Sequence, residues 1–479
     1  MYDLKGKFLN GKMPQVITVL TATLGALSDG MNYGWPAPVL PILSKPDSPI
    51  PDVTHESAMW IELLYMLGGI AGLPITIFIV DKLGRKMSLL ITAMMSLVVW
   101  IMTACATNVE TIYAIRFISG MAGDMAFVAG PMYIAEVADK SIRGLLSGFI
   151  YLALLLGIVI IYSVAPFVSL VTSSCVGAAF VIVQLFTFSF MPESPYYLLM
   201  KGKDEKCRKA LVFLRSTEDV DAELLELKTA IDRQIQEKGR PIDLLLDKGN
   251  RKGVIIMTVL NASQHFSSIS VILMNLHTIL EDAKGIVSPD WSGIVFSLVM
   301  LLSASVSITI VDKFGRKILL VFSSFLTAIS LAILATYLLV KHQGGDVSNI
   351  GWVPLFSVLL YAVAFKSGLG MVPIVMTGEL FPAKVKAMGM ANADAMYVLF
   401  GALSIFIYQE LVKNFGIFCP FYLFSCCCIL TAIFAIFYIP ETKGKTLEEI
   451  QYLLKGIPLS EMKKNPQEEI TPNDLCTKL

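Results

Sequence analysis

The chain alternates long apolar runs with short polar breaks. Twelve runs have about the length that crosses a bilayer as a helix, roughly 20 residues. They lie near 16–35, 58–80, 88–106, 111–133, 145–165, 171–191, 254–280, 291–311, 318–340, 353–377, 389–410 and 418–439. The pattern predicts an all-α, polytopic membrane protein with twelve transmembrane helices. Between the sixth and seventh runs lies a longer polar stretch in which Leu211, Leu214, Leu224, Leu225, Leu227 and Ile231 recur at near-helical spacing among charges. Short amphipathic helices are expected there. The resulting division is an N-terminal segment 1–15, a six-helix bundle 16–191, a linker 192–252, a second six-helix bundle 253–439 and a tail 440–479. The last part of the tail, 456–479, is polar with three prolines and reads as flexible. The first run follows Lys5, Lys7 and Lys12 and lacks a small-residue cleavage site, so it reads as the first membrane helix rather than a signal peptide.

Composition agrees with this reading. Of the 479 residues 55% are hydrophobic and 16% charged, too little polar surface for a soluble chain of this length. The formal net charge is zero, which gives no reason to expect a nucleic-acid partner. The odd-numbered connections carry few basic residues, with Lys45, Lys284, Lys341 and Lys413 nearly alone. The even-numbered connections and the linker carry the rest. The excess of Lys and Arg on the cytoplasmic side of membrane proteins then places both termini and the linker in the cytoplasm. The eight cysteines show no CxxC spacing and read as packed or free thiols. No phosphate-binding Walker loop is present, and the four histidines form no catalytic or metal-binding constellation, so an enzyme, a cofactor and a metal are not expected. The expected partners are the lipid bilayer and a small polar solute.

Three motifs occur twice in the same order. Asp81-Lys82-Leu83-Gly84-Arg85-Lys86 returns as Asp312-Lys313-Phe314-Gly315-Arg316-Lys317. Glu136 with Arg143 seven residues on returns as Glu379 with Lys386. Pro192-Glu193-Ser194 returns as Pro440-Glu441-Thr442. Duplicated halves are a common construction of secondary transporters. Such a protein must be closed on one side at a time, and ion pairs at the cytoplasmic ends of helices can hold that side shut. Asp81, Arg85, Arg116, Glu136, Arg143 and Glu193, mirrored by Asp312, Arg316, Glu379, Lys386 and Glu441, have the residue types for it. Arginine suits the role because its planar fork binds two carboxylate oxygens, which makes Lys386 a less directional partner than Arg143. The bland alternative is that these are orientation charges with no switching role.

The residues also carry a family resemblance. Arg116-x-x-x-Gly120, Pro131 through Glu136 to Arg143-Gly144, Pro192-Glu193-Ser194-Pro195, Gly378-Glu379-Leu380-Phe381-Pro382 and Pro440-Glu441-Thr442-Lys443-Gly444 resemble the signatures of the sugar-porter family of the major facilitator superfamily. The first helix, with Gly34-Trp35-Pro36-Ala37-Pro38-Val39-Leu40-Pro41, is similar to insect facilitated trehalose transporter-like proteins. The resemblance covers about residues 14 to 450. It implies two six-helix bundles related by a pseudo-twofold axis along the membrane normal, a central cavity and alternating access.

The resemblance is closer in the scaffold than in the substrate site. Gln264 matches a family glutamine, while His265 stands for a second one, Ser270 for an asparagine, and Met274 and Asn275 for tyrosines. The tenth helix reads Gly370-Met371-Val372-Pro373-Ile374, without the family's sugar-stacking Trp. Gln264, His265, Ser267, Ser270, Asn275, Tyr151 and Asn392 still offer groups to sugar hydroxyls. The implied function is facilitated transport of a sugar or related polar solute. Two alternatives stand beside it: proton symport through Asp29 or Asp124, and a transporter-derived sensor without net flux. The family's proton-carrying Asp aligns with Asn32, which cannot take a proton, and this favours facilitated diffusion. Asp29, Asp124, Lys366 and Asp394 lie within apolar runs, where a charge is costly and a functional role is the default expectation. A pair between Lys366 and Asp394 is one way to satisfy two of them.

Overall fold

The computed structural model describes residues 11–457 apart from 46–47, 49, 52, 140, 237–239, 284–286, 383 and 446. The polar end of the tail, expected to be flexible, lies outside the described residues. Six spans make the first half: α1 (Met13–Gly34) continued by α2 (Pro36–Leu43), then α3 (His55–Leu83), α4 (Arg85–Ala104), α5 (Val109–Val137), α6 (Arg143–Val164) and α7 (Leu170–Phe188). Four short helices follow: α8 (Pro195–Met200), α9 (Asp204–Arg215), α10 (Asp221–Gln236) and α11 (Asp243–Leu246). The second half is α12 (Lys248–His265) continued by α13 (Ile269–Ala283), α14 (Pro289–Phe314), α15 (Arg316–His342), α16 (Val353–Ser367) continued by α17 (Val372–Glu379), α18 (Lys386–Phe415) and α19 (Phe418–Tyr438), with α20 (Leu447–Lys455) after it. Among the described residues, eleven of these spans are long and apolar enough to cross a membrane. The first, which carries Asp29 and Asn32 among several threonines, is not one of them.

The side on which α8–α11 lie is here the linker side, and the opposite one the far side. Within the first half α3 packs on α5, α1 on α6, and α4 on α5 and α7. Within the second, α15 packs on α16 and α19, and α12 on α18. The halves are joined mainly by α6 with α14, α3 with α18 and α2 with α13, and α1 also meets α13.

The spans within each half approach to backbone contact at glycine. A Cβ on Gly120 of α5 would lie 1.8 Å from the Tyr65 carbonyl oxygen of α3, and one on Gly68 of α3 would lie 2.1 Å from that of Phe117. Gly30 and Gly157 do the same for α1 and α6, at 1.9 Å from Leu154 O and 2.0 Å from Leu27 O. Lipid tails are as apolar as leucine, so close van der Waals packing, rather than exclusion of water, holds membrane helices together. Gly120→Val is therefore expected to destabilise the first half by about 3 kcal/mol, the scale of severe overpacking. It should read out as a lower unfolding temperature of the detergent-purified protein.

Candidate functional site

The duplicated motifs build the same charge cluster twice on the linker side. In the first half Arg85, 4% exposed, donates to the Glu136 carboxylate at 3.0 Å. Its Nη1 donates to Val80 O at 3.3 Å, and Ser194 Oγ donates to Glu136. In the second half Arg316 Nη2 donates to Glu379 Oε1 at 2.9 Å, its Nη1 donates to Val311 O at 3.2 Å, and Thr442 Oγ1 donates to Glu379 at 2.6 Å. The third motif closes each cluster on a helix start. Glu193 accepts the Lys86 backbone N–H at 2.9 Å at the first turn of α4. Glu441 accepts those of Arg316 and Lys317 at 3.0 and 3.1 Å at the first turn of α15. A carboxylate is stabilised there by unpaired N–H groups and the helix dipole. Gly84 and Gly315 make the approach possible. Their φ values of 101° and 91° lie in the left-handed region, and a Cβ would stand 2.4 Å from Glu193 Oε2 and 2.7 Å from Glu441 Oε2.

Four expectations for this cluster change. Arg116 does not belong to it: twenty residues of one helix, about 30 Å, separate it from Glu136, and it lies on the far side. Arg143 is exposed and donates to Ala138 O at 3.3 Å, while Glu136 is held by Arg85. Lys386 likewise takes no ion pair, because Glu379 is held by Arg316. The seven-residue spacing spans a helix end, Val137 to Arg143, where the chain turns and the basic side chain leaves the acid's face. Asp81 is exposed and takes no bond within the cluster, and the side chain of Asp312 lies outside those described. Among the described residues each ion pair closes within one half; neither joins the halves.

The halves meet instead through buried polar groups nearer the far side. Tyr33 OH of α1 donates to Ser270 Oγ of α13 at 2.9 Å, and Ser270 Oγ lies 2.8 Å from His265 Nδ1. Tyr162 OH of α6 donates to Leu273 O at 2.6 Å, with its ring against His277. Gln409 Nε2 of α18 donates to Glu62 of α3 at 3.2 Å, and the Glu62 side chain is fully buried. Arg116, 1% exposed, braces this region within the first half. It donates to Ile61 O at 3.0 Å and Asn32 O at 2.7 Å, and lies 4.5 Å from the Tyr65 ring centroid. Asp29 accepts from Tyr65 OH at 2.7 Å.

The expected solute-binding residues fall in or beside this interface. His265 and Ser270 are fully buried, Gln264 and Asn275 nearly so. Gln264 Nε2 donates to Leu369 O at 3.1 Å, and neither His265 Nε2 nor Asn392 Nδ2 has a hydrogen-bond partner. Tyr151 accepts from Lys366, so the anticipated Lys366–Asp394 pair does not form. Asp394 lies instead within electrostatic range of Asp124, where two carboxylates repel rather than pair. Tyr397 is 40% exposed although its ring lies 4.3 Å from that of buried His265, so its other face is open. A separate cavity of about 400 Å³, lined by Thr54, Ser57, Trp60 and Tyr113 among others, opens at the far-side ends of α3 and α5 and shares no residue with this network.

The site sits where helices break. The first spans of the two halves are both discontinuous, at Trp35 and at Phe266–Ser268, where Ser268 has φ 76°. The tenth is broken at Gly368–Met371. Discontinuous helices in corresponding positions of the halves mark binding sites in many transporters. Sequence reasoning passed over Glu62, Tyr33, Tyr162, His277 and Gln409. Glu62 alone carried a signal, as a charge inside the second apolar run.

With the geometry in place, comparison with known proteins assigns the scaffold. Residues 18–454 match the family described as sugar (and other) transporter. The chain belongs to that family. It is 31% identical over 449 residues to the facilitated trehalose transporter Tret1 of Drosophila yakuba, and 29% identical to that of Culex quinquefasciatus, covering 92% of this chain in each. It spans about half the length of the fly relative (52%) and 86% of the mosquito one. The inward open conformation of the xylose transporter XylE from E. coli has the same fold, with TM-score 0.75 at 23% identity over 91% of this chain and 98% of that one. The protein is thus a multi-pass membrane protein of the major facilitator fold.

Two outcomes follow from the site. Burial raises the pKa of Glu441, but the backbone N–H groups of Lys443, Arg316 and Lys317 and the Arg316 charge outweigh it, leaving the carboxyl below its usual range. A depressed pKa stabilises the fold fully above the unfolded value of about 4.3 and less as pH falls through the folded value. Amide-exchange protection at Arg316 and Lys317, corrected for intrinsic rate, should therefore hold at pH 6 and fall in acid, with no such step in Glu441→Gln. Tyr33→Phe removes one bond across the halves, about 1 kcal/mol or roughly a fivefold population shift. Spin labels at Thr107 and Asp346, on far-side loops of the two halves, should report a larger share of long distances.

Proposed function

We propose that the chain carries a sugar or sugar-like polar solute across the plasma membrane by facilitated diffusion, the two halves rocking about a central site. The observation that carries this reading is the polar seam between the halves, Tyr33–Ser270–His265, built on two helices broken in corresponding positions. The groups beside it, Gln264, Asn275, Asn392 and Tyr151, supply amides and a hydroxyl, which suit a solute rich in hydroxyls. The trehalose transporters that the chain resembles point the same way. Both termini and the linker belong in the cytoplasm by the distribution of Lys and Arg. The far side is then extracellular, and the contacts there make this conformation inward-facing.

In this reading the duplicated charge clusters keep each half rigid as it rocks. Asn32 in place of an acid favours uncoupled movement. The second reading, proton symport, draws on Asp124 and Asp394, two intramembrane carboxylates within electrostatic reach across the halves. Uptake of labelled trehalose and glucose into oocytes, with counterflow against a panel of polyols, separates the readings. Saturable flux unaffected by an uncoupler is expected. Uncoupler-sensitive accumulation would transfer the assignment to symport, and surface-expressed protein moving no solute of the panel would rule out neutral sugars and polyols as its cargo.

A further inference from the structure

Lys366 lies near the middle of the tenth span, as the next-to-last residue of α16 before the break, and is 2% exposed. Its ammonium reaches across the halves to the hydroxyl of Tyr151 on α6. It also lies 4.7 Å from the Tyr151 ring centroid and 5.1 Å from that of Phe365. Among the described residues it has no carboxylate partner. A lysine in this setting is costly, because aromatic faces and one hydroxyl replace only part of its hydration. Such a group is compensated when an anion joins it, and an ammonium with three donors has two left for that anion once Tyr151 is served.

The surroundings suit a hydroxylated anion. Gln264 bonds the carbonyl of Leu369, three residues beyond Lys366. Asn392 Nδ2 and His265 Nε2 are buried without partners, and Tyr397 turns an open face to the same region. We propose that the transported solute bears a carboxylate which pairs with Lys366, making the substrate class a monoanionic sugar acid, an aldonate or a uronate. One ammonium matches one negative charge. A phosphate, with nearly two, would have a single cation to offset it, and planar arginine forks are the usual answer to such dianions. The proposal rests on the transport reading for its physiological meaning, but Lys366 can be tested by binding alone.

The experiment uses the full chain, purified and reconstituted in liposomes, with D-glucuronate, D-gluconate and D-glucose as probes. Binding is read by ligand-induced thermal shift and flux by uptake of each labelled probe. The wild type is expected to favour glucuronate or gluconate over glucose at least tenfold in affinity. Lys366→Gln should bring that ratio to about one or below, and Lys366→Arg should keep it above one. A Lys366-dependent preference in binding without any flux would support the proposal and sink the transport reading. Glucose transported with no competition from either acid would overturn the proposal and leave transport standing. If Lys366→Gln does not fold, the wild-type ratio and Lys366→Arg still decide: a ratio of one or below in both overturns it.

Discussion

Each half of the molecule is organised by a carboxylate brought to the start of a helix beside a buried arginine. Glu193 and Glu441 sit on the first turns of α4 and α15, while Glu136 and Glu379 hold Arg85 and Arg316. The arrangement needs a glycine at the helix boundary, because any side chain would strike the carboxylate. It ties three motifs of one half into a single polar knot. Removing one partner of such a buried pair leaves a charge without compensation, which costs more than the pair itself contributes.

That rigidity explains where the moving surfaces lie. The knots close within halves, so the halves can shift as units. The contacts between them are spread over separate helix pairs: a tyrosine to a serine, a tyrosine to a carbonyl, a glutamine to a glutamate, a lysine to a tyrosine. Each such bond contributes on the order of 1 kcal/mol net, so a solute can shift the balance with a few contacts of its own. Arg116 stabilises one wall of the seam from inside the first half. Its bonds to backbone carbonyls of α1 and α3 let it hold those helices without committing them to the other half.

The breaks in the first, seventh and tenth spans place the site. Backbone leaves helical form only where protein or a cavity can satisfy its polar groups. At these breaks the freed groups are met by neighbouring segments: Leu369 N–H donates to Ser323 Oγ, and Leu369 O accepts from Gln264.

The sequence by itself determined the spans, the duplication and the residues of the charge knots, because hydrophobic length and repeated motifs are properties of the chain order. It also brought out Gln264, His265, Ser270 and Lys366 as residues to watch. Only the tertiary structure decided their partners. Arg116 has the residue type of the linker-side charges but lies a helix length from them in space, and Arg143 yields Glu136 to Arg85. Glu62, Tyr33 and Gln409 gain their places only where the two halves meet. Contacts between segments hundreds of residues apart depend on how helices tilt and break, and the rule of hydrophobic spacing carries no information about either.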